Sequence, residues 1–345
     1  MHRDIQNCSH CGESLLERSK YCGACGAPTY YLRRTQRLSV IAVLSTFVFL
    51  TTIILWKPIL APLLRSRQAE NPLEAPVSLN DLMPGQDIAF CSDRTGNWEV
   101  YLMEPDGTNV RQVTSDGGYD GTPVWSPDRN QLAVTTRRDG NWEIYLLTVE
   151  GRELINLTNH PAEDLGPSWS PDGSLLAFSS DRDGNYEIYI LDTTTGETKR
   201  LTYDESDDTS PAWSPDGTAL AFTSDRGEAW DIYLMRQDGG DLRQLTDTQS
   251  DDWRPGWSPD GQKLTFSSMR DGNWEIYTMD ADGSGLRRIT DHPEMDWRSV
   301  WSPDGESILF ISERDGNREV YRMRSDGSSI TRLTENIDVD CGVDW

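Results

Sequence analysis

The chain has 345 residues with 57 Asp/Glu against 32 Lys/Arg, a formal net charge of −25. Residues 1–67 hold nine Lys/Arg and three Asp/Glu, so residues 68–345 carry −31. A body this acidic repels nucleic acid and anionic lipid head groups, which leaves cationic, neutral or metal-bridged partners, or a charge that serves solubility alone.

Residues 1–29 read as a zinc ribbon. Cys8-Ser-His-Cys11 and Cys22-Gly-Ala-Cys25 are two C-x2-C pairs ten residues apart, each followed by glycine. Two such knuckles offer Zn²⁺ four thiolates in tetrahedral array, with no open position for a substrate, so the metal is structural. Four free thiols or two disulfides are the alternatives. A basic juxtamembrane segment (30–37) follows, and then residues 38–56 run 19 positions without a charge. That length suits a membrane-spanning helix, which needs about 20 residues. Arg18, Lys20, Arg33, Arg34 and Arg37 precede the run, and Lys57, Arg65 and Arg67 follow it. The basic excess places the N-terminus in the cytoplasm, where thiolates stay reduced. Residues 57–86 contain five prolines and read as an extended linker.

From residue 87 a repeat sets in. Trp125, Trp169, Trp213, Trp257, Trp301 and Trp345 are spaced by 44. Five of them open Trp-Ser-Pro-Asp, and Gly follows in four of these. Each period holds four short apolar runs separated by Gly, Asp and Pro, the pattern of a four-stranded antiparallel propeller blade. Six second runs make six blades. The first blade has no Trp-Ser-Pro-Asp strand of its own, and the tail 340–345 supplies it, which closes the ring and removes its open edges. The fold class is therefore all-β: a six-bladed propeller over 87–345, after a ribbon and one membrane helix.

The motif Trp-Ser-Pro-Asp-Gly, followed by Asp-Arg-Asp-Gly-Asn-x-Glu-Ile-Tyr and by Arg-x-Leu-Thr, resembles the TolB-type (PD40) β-propeller repeat. The resemblance covers 87–345 and implies the fold and a binding style. TolB itself resembles a secreted periplasmic protein with an α/β domain ahead of its propeller. Neither feature is read here, so a Tol-system role does not carry over.

Positions are counted from each Trp, with the Trp as zero. Arg recurs at +13 (Arg94, Arg138, Arg182, Arg226, Arg270, Arg314) and an acid at +18 (Glu99, Glu143, Glu187, Asp231, Glu275, Glu319). The two read as cross-strand ion pairs of each hairpin. Asp recurs at −5: Asp120, Asp164, Asp208, Asp252, Asp296 and Asp340. One per blade at the start of the inner strand makes an acidic ring at one channel mouth, either capping neighbouring loops or holding a cation such as Ca²⁺ or a cationic peptide. Trp98, Trp142, Tyr186, Trp230 and Trp274 are expected at the same mouth, with Arg318 in the sixth blade.

Two blades depart from the rest beside the ring. They read Asp252-Trp253-Arg254 and Asp296-Trp297-Arg298, where the others have Gly121-Thr122, Leu165-Gly166, Thr209-Ser210 and Cys341-Gly342. Paired Trp with Asp and Arg suits glycan stacking or peptide capture, and local packing is the alternative. Cys91 at +10 and Cys341 at −4 face each other across the seam of the first blade, and a disulfide is expected there on the oxidising side of the membrane.

No nucleophile elbow, zincin helix or P-loop occurs. The reading is a non-enzymatic, single-pass membrane protein whose extracytoplasmic propeller binds a protein, peptide or glycan at the cell surface. One alternative is a transmembrane sensor whose ribbon docks a cytoplasmic partner. Another is a metal-dependent polysaccharide lyase, against which stands the propeller's having only two histidines, His160 and His292.

Overall fold

A computed structural model describes residues 87–115, 117–148 and 154–345, and the strand backbones Gln6–Asn7 and Ser14–Leu15. The chain divides into two units, Met1–Pro76 and Val77–Trp345. In the first, the two short strands pair antiparallel, with Gln6 opposite Leu15 and Asn7 opposite Ser14. The four ribbon cysteines, the uncharged run 38–56 and the linker 57–86 lie outside the described residues.

The second unit contains six four-stranded antiparallel sheets. Blade 4 stands for the rest, with strands Asp208–Trp213, Ala219–Ser224, Asp231–Arg236 and Arg243–Gln244 in consecutive order. Its second strand is buried from Leu220 to Ser224. Both faces of that strand meet neighbouring blades, so the sequence there is a continuous apolar and hydroxyl run rather than an alternation. The core lies between blades. Ala177, Ile188, Ile190 and Leu201 of blade 3 pack on Trp213, Leu220, Phe222, Tyr233 and Met235 of blade 4. Each fully buried side chain of this kind contributes about 1.5–3 kcal/mol of transfer free energy.

The Trp-Ser-Pro-Asp-Gly turn is a closed polar device. Ser214 Oγ donates to Asp216 Oδ1 (2.6 Å) and accepts the N–H of Ala219 (3.0 Å). Gly217 takes φ +71°, and a Cβ there would lie 3.5 Å from Pro171 of the blade before. Blade 2 carries Arg129 at this position, at φ +58°.

Blade 1 joins Ile88–Ser92, Glu99–Met103 and Arg111–Gln112 to the closing strand Asp340–Asp344. Cys341 pairs with Cys91 in register, and the two are joined by a disulfide, with Cα atoms 5.0 Å apart. Arg129 clasps the seam. It stacks on Trp125 (4.7 Å) and donates to the carbonyls of Asp87 (2.6 Å) and Trp345. Asp344 accepts the N–H of Trp125 at 2.8 Å.

Candidate functional site

The geometry of the mouth begins with the inner strands, named by their ends: Asp120–Trp125, Asp164–Trp169, Asp208–Trp213, Asp252–Trp257, Asp296–Trp301 and Asp340–Asp344. Each opens on the predicted ring aspartate. All six aspartates are fully buried, and each meets the +13 arginine of its own blade at 2.7–3.1 Å. In blade 4, Arg226 donates through Nη2 to both oxygens of Asp208 and through Nε to Ser224 Oγ. Its guanidinium lies 4.9 Å from the Tyr233 ring. Burial still pushes the Asp208 carboxyl up to about 6, against the pull of Arg226. The ring is therefore not a bare circle of carboxylates but six charge-compensated clusters, and it offers a cation no uncompensated charge.

This overturns the expected pairing of the +13 arginine with the +18 acid. The hairpin register sets Ser224 opposite Asp231, and the arginine, two residues beyond the strand, turns back to the inner strand. The +18 acid has other partners. Glu275 accepts from Arg288 Nη2 (2.7 Å), Thr290 Oγ1 (2.6 Å) and the N–H of His292 (2.9 Å). These bonds tie the fourth strand and the interblade link to the third strand.

Every inner strand carries a bulge, between −4 and −1 in five blades and between −4 and −2 in the closing strand of blade 1. It holds the −3 residue at positive φ: Thr122 (47°), Gly166 (62°), Ser210 (53°), Arg254 (54°), Arg298 (61°) and Gly342 (33°). Left-handed backbone favours glycine, so arginine in two adjacent blades is placed there at a cost. Arg298 reaches past blade 1 to Thr122 Oγ1 of blade 2 (2.9 Å), and a Cβ on Gly342 would lie 3.1 Å from its Nη2. The −3 residues of three consecutive blades thus meet at the inner wall, with Gly342 leaving the space that Arg298 uses to reach Thr122.

The mouth aromatics are more enclosed than expected. Trp98, Trp142, Trp230 and Trp274 are all buried. So are the two departing tryptophans, Trp253 (5% exposed) and Trp297 (9%). Trp253 packs on Trp230, centroids 5.2 Å apart, and Trp297 lies 5.5 Å from the guanidinium of Arg318. The structure gives both tryptophans packing contacts and brings Asp252-Trp253-Arg254 and Asp296-Trp297-Arg298 to one sector.

Sequence comparison of the blades missed position −6. Glu163, Asp207 and Asp251 stand there and accept the backbone N–H of the aromatic at +17 in the preceding blade: Trp142 (2.9 Å), Tyr186 (2.9 Å) and Trp230 (3.1 Å). Tyr119, Met295 and Val339 replace these acids in the other three blades. The split of this position into three consecutive acidic blades and three that lack an acid was the signal. Among the described residues no three His, Cys, Asp or Glu side chains are grouped to hold a metal, and no helix is long and apolar enough to cross a membrane.

The family model that matches is the TolB beta propeller domain, over residues 84–252 and 248–341. Among solved structures, the chain superposes on TolB from Acinetobacter baumannii with TM-score 0.68 and 26% identity, covering 75% of this chain and 66% of that one. It superposes on the putative TolB from Agrobacterium tumefaciens with TM-score 0.61 and 28% identity, covering 73% and 88%. A protein TolB homolog from Chlorobaculum tepidum (strain ATCC 49652 / DSM 12025 / NBRC 103806 / TLS) is 43% identical over 51 residues, 15% of this chain and 12% of that protein. The chain thus spans less than two thirds of the Chlorobaculum and Acinetobacter relatives.

Proposed function

The chain belongs to the TolB β-propeller family, and from that premise we propose that its propeller is a binding module that captures a protein segment at the mouth beside blades 5 and 6. One observation carries the reading. Beside the Asp–Arg pair that every blade keeps, those two blades carry Trp253-Arg254 and Trp297-Arg298 where the others have Gly121-Thr122, Leu165-Gly166, Thr209-Ser210 and Cys341-Gly342. Large aromatic and guanidinium groups concentrated in one sector are the make-up of a protein-binding hot spot. A bulged, positive-φ arginine is a strained choice that packing alone does not require, because Ser210 serves in blade 4.

The test is capture of extracts and peptide libraries by the immobilised full chain. Arg254→Ser with Arg298→Ser gives both blades the residue of blade 4. Capture should fall at least about tenfold, the loss of one hot-spot contact, while the melting temperature holds. Unchanged capture would sink the reading. Recovery of glycans in place of proteins would redirect it, and turnover of a polyuronide would return the lyase alternative.

The anchoring belongs to the same proposal. Residues 38–56 hold the propeller on the outer side of a membrane, and Cys8, Cys11, Cys22 and Cys25 bind one structural Zn²⁺ in the cytoplasm, where the ribbon can dock a partner. The antiparallel pairing of Gln6–Asn7 with Ser14–Leu15 supports a knuckle, since Cys8 and Cys11 lie between these strands in the sequence. The Cys91–Cys341 bond supports an oxidising compartment for the propeller. Metal analysis should give one zinc per chain, lost on Cys22→Ser. Protease added to intact cells should release the propeller and spare the ribbon.

A further inference from the structure

The geometry points to a carboxylate-binding subsite at Arg318, between blades 6 and 1, which gives the captured segment an acidic side chain or chain end. The inference rests on the mouth-binding reading for the size of the ligand. For its charge it rests on three observations of its own.

The first is the residue. Position +17 is aromatic in five blades and arginine only in blade 6. Arg318 is 3% exposed, its carbonyl accepts the N–H of Asp340 (3.0 Å), and its guanidinium lies 5.5 Å from the Trp297 ring. It therefore sits at the mouth, between the inner-strand starts of two blades.

The second is its incomplete pairing. Nε donates to Glu313 Oε1 at 3.3 Å, a long bond, and the buried Nη1 has no hydrogen-bond partner among the described residues. A buried guanidinium donor without an acceptor is costly, and guanidinium is built to bind carboxylates in bidentate fashion. The indole Nε1 of Trp297 is likewise without a partner there.

The third is what the repeat has removed. In blades 3, 4 and 5 the −6 carboxylate (Glu163, Asp207, Asp251) caps the +17 residue of the preceding blade. At the 6/1 junction that acid is Val339. The acid is absent from two other junctions as well, at Tyr119 and Met295, and where present it caps a backbone N–H; only at the 6/1 junction is the residue left without it a cation. An external carboxylate takes the place of the missing acid, reached by rotation of Trp297 away from the guanidinium. Glu313, 3.3 Å from Arg318, is the carboxylate that an incoming one must share the guanidinium with, and Arg298 adds a second guanidinium in the same blade.

The experiment is thermal unfolding of the full chain with glutarate against sodium chloride at matched ionic strength. Saturating glutarate should raise the melting temperature by about 2–4 °C. Arg318→Trp, which restores the residue of the other blades, should abolish the rise. Val339→Asp restores the internal carboxylate, and should abolish it too while leaving Arg318 in place. No rise in the parent overturns the subsite, as does an equal rise in both variants. If Arg318→Trp does not fold, Val339→Asp decides alone. A peptide pool containing Glu and Asp should be captured about tenfold better than the same pool with Gln and Asn. Failure of every peptide, with the glutarate response intact, sinks the protein-binding reading and leaves the carboxylate subsite standing.

Discussion

Blades 4 and 6 share one frame and differ at the mouth. Asp208–Arg226 and Asp296–Arg314 agree to 0.1 Å in their shortest contact, and each arginine lies 4.9 Å from its tyrosine ring, but Arg226 reaches both oxygens of Asp208 and also Asp204, whereas Arg314 reaches Asp296 through Oδ2 alone. Beside the first stand Thr209 and Ser210, with Tyr186 capped by Asp207. Beside the second stand Trp297 and Arg298, with Arg318 next to Val339. A feature present in both blades answers to the architecture. A feature present in one answers to something the architecture does not need.

The sharpest way to break this comparison is to remove the shared part from both blades. Arg226→Ala and Arg314→Ala each leave a fully buried carboxylate without its cation, which costs about 3–5 kcal/mol. Denaturant unfolding should give losses of this order in both blades, the larger in blade 4, where Arg226 also holds Asp204. A loss near zero in blade 6 would mean that its arginine does not carry the frame. Both losses should shrink in acid, where the carboxyl is protonated and needs no partner.

Next in size is the seam. Blade 1 keeps the frame, since Arg94 reaches Asp340 at 3.1 Å, but its inner strand comes from 250 residues away. Cys91→Ser with Cys341→Ser should lower stability by about 2–5 kcal/mol, the upper end following from the length of the closed loop. Reductant should reproduce the loss in the parent and leave the double mutant unchanged. No loss would show that register and packing hold the seam unaided.

A smaller effect separates packing from function at the mouth. Trp253→Thr and Trp297→Thr give blades 5 and 6 the residue of blade 4. Each should cost about 1–3 kcal/mol, below the usual range for a truncated core tryptophan, because blade 4 shows that the frame closes over threonine. Losses of 4 kcal/mol or more would make both residues core.

The most gradual effect is a pH slope. Burial pushes the Asp344 carboxyl up to about 7, against the N–H of Trp125 and the Arg129 guanidinium. Between the ordinary carboxylate range near 4 and about 7, the folded state holds the extra proton, so this group's contribution to stability falls as pH rises through that window. Asp344→Asn keeps an acceptor for Trp125 and should flatten the slope. A slope that steepens on substitution would reverse the sign.

Much of this frame was legible in the sequence. The 44-residue spacing of Trp125 to Trp345 defined the blades, and the opposition of positions −4 and +10 followed from a hairpin turning at Ser-Pro-Asp-Gly. The partner of the +13 arginine was not legible. Asp at −5 and Glu at +18 are both acids within reach of a long side chain, and the choice depends on where the second strand ends and the chain turns back. The burial of Trp253 and Trp297 was hidden for a related reason. The bulge at −3 breaks the two-residue alternation from which side-chain direction is read in a strand.

The seam also sets a schedule for the molecule's birth. Ile88–Ser92 emerges with its inner edge unpaired, and the strand that covers it follows about 250 residues later. At synthesis rates of about 5–20 residues per second, that edge stays open for roughly 10–50 s while five blades assemble behind it. An unpaired strand edge is a template for any chain nearby. Two copies made side by side can each offer the other a closing strand, so synthesis of many copies at once should yield ring-exchanged pairs sealed by Cys91–Cys341 bonds between molecules, and sparse synthesis should yield single rings.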